Sequence, residues 1–200
     1  MKKVLLTIST AFLWLLLDQA HAITLSFDPI SAEITQGSGV EVNLVISGLG
    51  TGTAPSLGTF DLDVDYDASL LGVSNVLFAD QLDLFGLGST TDWESIDGSV
   101  NLFELSLDQP SDLELLQLDS FTLATLSFDT LGVGSSLLSY SNVFLGDAGG
   151  NPLFADLMSE GNITVLPAVA ISEPAMLWLM GFGLAGMGLG RKLKTTVVLR

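Results

Sequence analysis

The sequence predicts an all-β protein, an antiparallel β-sandwich, and three observations carry that expectation. Phe60-Asp-Leu-Asp-Val-Asp-Tyr-Asp67 alternates apolar and acidic residues without a break, placing Phe60, Leu62, Val64 and Tyr66 on one face and Asp61, Asp63, Asp65 and Asp67 on the other. Other short apolar runs follow at intervals, separated by Gly, Asn, Asp and Ser clusters such as Gly48-Leu-Gly-Thr-Gly52 and Asp147-Ala-Gly-Gly-Asn151. Strands do not alternate with long amphipathic helices, so a parallel βαβ sheet is excluded.

Taken in chain order, the expected strands are Ile23-Phe27, Val40-Ile46, Phe60-Asp67, Leu70-Phe78, Val100-Leu107, Phe121-Phe128, Leu137-Leu145 and Ile163-Val165. Each is half-buried or buried by its pattern. Ser111-Asp-Leu-Glu-Leu-Leu-Gln117 is the one stretch that reads as a helical turn, with Ser111 as N-cap and Glu114 three residues on, as in a capping box. Thr90-Thr-Asp-Trp-Glu94 reads as a polar loop carrying Trp93.

Charge is distributed unevenly. All six Lys and Arg residues sit at the ends, Lys2 and Lys3 at one and Arg191, Lys192, Lys194 and Arg200 at the other. Each cluster adjoins an uncharged apolar run, and positive charge beside a hydrophobic segment marks the side retained in the cytoplasm. The acidic middle is therefore expected to be translocated. Lys2-Lys3, the apolar run to Leu17 and Ala20-His21-Ala22 form the three regions of a secretory signal peptide, with cleavage expected between Ala22 and Ile23. Its fourteen-residue run, Val4 to Leu17, is short against the roughly 20 residues that span a bilayer.

Near the other end, the sixteen residues Ala175 to Gly190 would form a helix of about 24 Å. That is slightly under the hydrocarbon thickness of about 30 Å, and Arg191, Lys192 and Lys194 can snorkel to close the gap. The expected organisation is thus a signal peptide over 1–22, a sandwich domain over 23–168 and a tail over 169–200, the tail comprising a motif at 172–174, a transmembrane helix at 175–190 and a basic cluster at 191–194.

Ser172-Glu173-Pro174, the glycine-rich apolar helix and Arg191-Lys192 resemble, in that order, the PEP-CTERM sorting signal of exported proteins. Ser172 stands where the first Pro of that motif is usual, and the residues after Lys192 run longer than the family's tail. The resemblance implies processing at the motif by a membrane transpeptidase of the exosortase type. It also implies an inner-membrane precursor with a periplasmic domain, then a place in the cell envelope or outside the cell.

Ile23-Thr-Leu-Ser-Phe-Asp-Pro29, Gly39-Val-Glu-Val-Asn-Leu-Val-Ile46, Gly58-Thr-Phe-Asp-Leu-Asp-Val-Asp-Tyr-Asp67 with Leu70-Leu71, Phe121-Thr-Leu-Ala-Thr-Leu-Ser-Phe128 and Gly161-Asn-Ile-Thr-Val165 together resemble a cohesin domain. This implies a jelly-roll sandwich of about nine strands, related to carbohydrate-binding modules, that binds dockerin-like partners through one sheet face. A non-enzymatic surface or extracellular-matrix protein acting by protein–protein binding is the function so implied, and a module binding exopolysaccharide is the alternative.

The residue types exclude much chemistry. The single His, His21, lies in the expected leader, and the chain has no Cys. The exported domain therefore offers no Ser-His-Asp or Cys-His nucleophile, no His-ligated zinc and no phosphate clamp. Of 23 carboxylates only Asp18 and Glu173 lie in the end segments, leaving 21 in the domain. Such a surface excludes nucleic acid and anionic lipid as partners, and it favours cations, basic partners or simply solubility. Asp129-Thr-Leu-Gly132 lacks the glycine placement and second copy of an aspartic protease, and Gly48 to Gly52 lacks the Lys of a nucleotide loop. Ca²⁺ is the cofactor that oxygen ligands would suit, with Asp61, Asp63, Asp65, Asp67 and the Asp147–Asn151 loop as donors. Tyr66 stands where an EF-hand loop needs Gly. For sugar, the candidate aromatics are Trp93, Tyr66 and Tyr140.

Overall fold

The computed structural model describes residues 22–168. The expected signal peptide, with Ala20, lies outside them apart from Ala22, as does the expected sorting tail with Ser172, Glu173, Pro174, Arg191 and Lys192. Among the described residues no helix is long and apolar enough to cross a membrane.

The chain forms β1 (Thr24–Asp28), β2 (Ser31–Thr35), β3 (Gly39–Ser47), β4 (Leu57–Asp65), β5 (Leu71–Phe78), β6 (Thr90–Ile96) and β7 (Ser99–Leu105). A short helix α1 (Pro110–Leu116) follows. The remainder is β8 (Ser120–Thr130), β9 (Gly134–Asp147), β10 (Pro152–Leu153), β11 (Leu157–Met158) and β12 (Gly161–Leu166). Two sheets result. The first has the order β11-β1-β3-β8-β5, the second β2-β12-β9-β4-β7-β6, with β10 attached to β9.

Period-two patterning decides which side chains meet between the sheets. Phe60, Leu62 and Val64 of β4 are fully buried, as are Leu25, Leu44 and Ile46 from β1 and β3 of the facing sheet. Each such side chain contributes about 1.5–3 kcal/mol relative to an exposed one, so the alternation at 60–64 outweighs the weak strand propensity of its aspartates. The two tyrosines join this core. Tyr140 stacks on Phe27 with centroids 4.5 Å apart, and Tyr66 meets Phe128 edge-on at 5.4 Å.

All eight expected strands form, with ends within a few residues of their expected limits. Several features correct the expectation. β6 is a strand where a loop was expected, and β2 lies where no element was assigned, giving ten strands of five or more residues and two short ones in place of about nine. The sandwich is not wholly antiparallel, because β12 pairs with β2 and β1 with β11 in parallel. The helix starts earlier than the capping-box pattern requires: Gln109 is the N-cap and makes no side-chain cap bond, while Ser111 lies inside the first turn. Pro110 explains the shift, since its fixed φ and missing N–H suit the first helical position. β4 ends at Asp65, and Tyr66 and Asp67 belong to the turn beyond it.

β6 and β7 form a hairpin closed by Asp97 and Gly98, both at positive φ (48° and 88°). That pair is the type I′ signature, which matches the twist of its flanking strands.

Candidate binding face

The two outer sheet faces differ in chemistry. On the first sheet the outward residues of β3 and β8 include Glu41, Asn43, Thr122, Thr125 and Ser127, with Thr125 Oγ1 donating to Asn43 Oδ1 at 2.7 Å. On the second, strand register aligns Asp92, Phe103, Asp61 and Phe144 in one row across β6-β7-β4-β9. The next row is Glu94, Asn101, Asp63 and Ser141, and the third Ile96, Ser99, Asp65 and Ser139. Phe144, Ile96 and Leu105 are exposed there. Carboxylates and unburied apolar side chains thus interleave on a single surface.

A chain of amide bonds fixes the centre of that surface. Asn101 Nδ2 donates to Asp61 Oδ1 at 2.9 Å and to Asp63 Oδ1 at 2.8 Å, and Asn142 Nδ2 donates to Asp63 Oδ2 at 2.5 Å. Asn142 reaches this outer face because β9 bulges opposite Leu62, and its own backbone takes φ 47°, a conformation Asn tolerates better than most residues. Beside it, Asp63, Glu94, Ile96, Ser99 and Asn101 line an open depression of about 200 Å³.

These contacts bear on the Ca²⁺ donors. Asp61 and Asp63 are engaged by amide N–H groups, and Asp67 sits around the turn, where its carboxylate accepts from Ser69 Oγ at 2.6 Å and Ser69 N at 2.9 Å. Those two bonds hold the Asp67 carboxyl below the ordinary range. Asp147 is likewise occupied within its own loop. Slight burial pushes its carboxyl up, but bonds from the Asn151 side chain and from the Asn151, Gly149 and Gly150 backbone override this and hold it low. Among the described residues no group of three or more acidic side chains is arranged to hold a metal ion. The four aspartates and the loop do not converge.

The sugar candidates do not converge either. Tyr66 and Tyr140 turn their rings into the core, and Trp93 registers with Leu102 on the core side of edge strand β6, 38% exposed. No aromatic platform joins the three.

Sequence reasoning missed Glu104. It lies on the core side of β7, almost fully buried, and accepts from Ser89 Oγ at 2.6 Å. Burial raises its carboxyl to about 7; the Ser89 bond lowers it somewhat and nearby Asp83 raises it again. Its position in Val100-Asn-Leu-Phe-Glu104 was the available signal, because alternation from Val100 and Leu102 assigns residue 104 to the interior.

Comparison with solved structures gives the architecture a context. The sixth cohesin of Acetivibrio cellulolyticus scaffoldin B, solved in complex with a Cel5 dockerin, aligns with a TM-score of 0.58 at 23% identity, over 72% of this chain and 99% of that one. This is the cohesin fold. A cohesin from Clostridium acetobutylicum aligns at 24% identity over 72% of this chain and 91% of its own, with a TM-score of 0.57. A non-cellulosomal cohesin from the archaeon Archaeoglobus fulgidus aligns at 20% identity over 72% and 90%, with a TM-score of 0.53. No protein-family model matches the sequence, and no curated protein is significantly similar to it. The likeness is one of fold, and it spans nearly the whole of each cohesin.

Proposed function

We propose that the protein is a non-enzymatic binding module that recognises another protein through the outer face of its second sheet. One observation carries this reading: Phe144, Phe103, Ile96 and Leu105 stand among Asp61, Asp63, Asp65, Asp92 and Glu94 on a face braced by Asn101 and Asn142. Apolar anchors ringed by polar groups on a rigid surface are what protein interfaces use. A partner with dockerin-like or basic character suits the charge, because the chain has no Lys or Arg between Val4 and Gly190. The cohesin fold supports the same reading, since several of the aligned structures are cohesin–dockerin complexes. Polysaccharide binding has no comparable support, for the three candidate aromatics share no surface.

The reading extends to location. Basic residues confined to the two ends, a leader-like amino end and the Ser172-Glu173-Pro174 tail support export, an inner-membrane precursor and sorting by an exosortase-type enzyme to the envelope or beyond.

Titration calorimetry of the protein against dockerin modules and against purified exopolysaccharide tests the binding proposal. Dockerin binding that falls at least tenfold in a Phe144→Ala, Asp63→Asn variant is expected, with the fold unchanged. Exopolysaccharide binding unaffected by that variant, with no dockerin binding, would replace the protein-binding reading by the sugar-binding one.

A further inference from the structure

Ile23 joins the N-terminal end of β1 to a segment 133 residues away. Its side chain is buried, and its backbone nitrogen donates to Asp156 Oδ2 at 3.1 Å. The contact is reciprocal. The Asp156 and Leu157 amides donate to the Ile23 carbonyl at 2.7 and 3.4 Å, and the Ser159 amide donates to the Leu25 carbonyl at 2.9 Å. Beyond these bonds β11 is only two residues long, pairing with β1 at Thr24 and Leu25. Leu157 and Met158 are exposed, so side-chain burial adds little to this attachment.

The preceding residue, Ala22, is exposed, whereas Ile23 is 4% exposed. A Cβ built on Gly48 would come within 2.1 Å of the Ala22 carbonyl oxygen, so Ala22 lies directly over that glycine. The Ala22–Ile23 peptide bond is therefore where the chain passes from surface to core. It is also the bond at which the leader-like segment is expected to be cut.

We propose that cleavage at this bond converts the Ile23–Asp156 hydrogen bond into an ion pair between a new α-ammonium group and the Asp156 carboxylate, clamping residues 156–158 onto β1 in the mature protein. The proposal rests on the export reading given above. Hydrolysis consumes one water: the acyl side departs as the leader's terminal carboxylate, and the freed Ile23 amine is protonated. The nitrogen already lies within hydrogen-bond distance of the carboxylate, so no rearrangement is needed. The amide bond to the Asp156 carboxylate is already charge-assisted, and cleavage adds a full positive charge to it, screened by solvent because Asp156 is exposed. The residues registered against this end of β1, Ser47 and Leu157, carry no ionisable side chain to compete. The pair would supply a positive charge to a domain whose sequence holds 21 carboxylates and no Lys or Arg.

The test uses the processed protein recovered from the envelope of producing cells. Its terminus is identified by mass spectrometry and its α-amino group is titrated by acylation rate against pH. The expected protein begins at Ile23, and its amine titrates about one unit above the ordinary 7.7–8.0, so it is acylated about tenfold more slowly at neutral pH. Asp156→Asn restores the ordinary rate, while Asp156→Glu, which keeps the charge, retains the slow one. A terminus other than Ile23 would overturn the processing site. A terminus at Ile23 whose acylation rate is the same in native and Asp156→Asn proteins would overturn the ion pair and leave export intact.

Discussion

The Ser89 hydroxyl donates to the Glu104 carboxyl at 2.6 Å, joining the loop that leads into β6 to the buried side of β7. The hydrogen bond offsets only part of the cost of burying a carboxylate, and the group titrates at about 7. The native carboxyl keeps its proton up to that pH, whereas the unfolded chain releases it near 4.5. Between those values the unfolded state binds fewer protons, so stability falls as pH rises and levels off above about 7.

Replacing Glu104 by Gln should remove that slope. The difference in unfolding free energy between native and Glu104→Gln proteins is expected to shift by about 1–2 kcal/mol between pH 4.5 and 7, after discounting one pKa unit's 1.36 kcal/mol for residual solvent screening. Urea unfolding at several pH values measures it. Parallel pH profiles for the two proteins would refute the assignment.

Gln117, just after α1, is buried and holds β4 by a pair of bonds. Leu57 N donates to its Oε1 at 2.6 Å, and its Nε2 donates to the carbonyls of Leu57 and Gln81 at 2.9 and 3.1 Å. Gln117→Leu fits the volume but strands the buried Leu57 groups. A loss of about 2–4 kcal/mol is expected in chemical denaturation, against less than about 0.5 kcal/mol for exposed Leu115→Gln on the same helix.

Twenty-one carboxylates in residues 23–168 repel one another at neutral pH. Raising ionic strength from about 0.01 to 0.15 M shortens the Debye length from about 30 to 8 Å and should raise the melting temperature. Because the described acidic side chains form no group of three or more arranged to hold a metal, Ca²⁺ and Mg²⁺ at matched millimolar concentration are expected to raise it equally. A rise with Ca²⁺ that exceeds Mg²⁺ by several degrees would establish a calcium site.

Intact mass of the envelope form tests the tail. Processing at the motif predicts a chain that ends between Ser172 and Pro174, and Glu173→Ala should accumulate an unprocessed inner-membrane form. An envelope protein that still carries Arg200 would leave a plain membrane anchor in place of a sorting signal.

The strands legible in the sequence were those whose burial is one-sided. Phe60 to Val64 announced its two faces because every second residue is apolar, and the core follows from that register. β6 was not legible by the same rule. As an edge strand all its residues are exposed, so Thr90 to Ile96 shows no apolar alternation, and the Asp97-Gly98 turn was the one local signal for it. β2 failed similarly, with only Ala32 and Ile34 partly covered. The candidate binding face was half visible. Alternation exposed Asp61, Asp63 and Asp65, but Phe144 and Asn142 reach that face only through a bulge in β9, and bulges leave no periodic trace.

The parallel pairing of β12 with β2 has a consequence for the order in which the chain is made. Ser31 registers with Asn162 and Thr35 with Leu166, so a strand formed near the start waits for one more than 120 residues later. Until then β2 lacks its partner, and β9 exposes along its β12 side the unpaired backbone that invites pairing with other chains. Contacts so distant along the chain form slowly. A polypeptide emerging amino end first can finish its second sheet only when residue 166 is free, so a ribosome or membrane channel that still holds the last strand also holds the domain open.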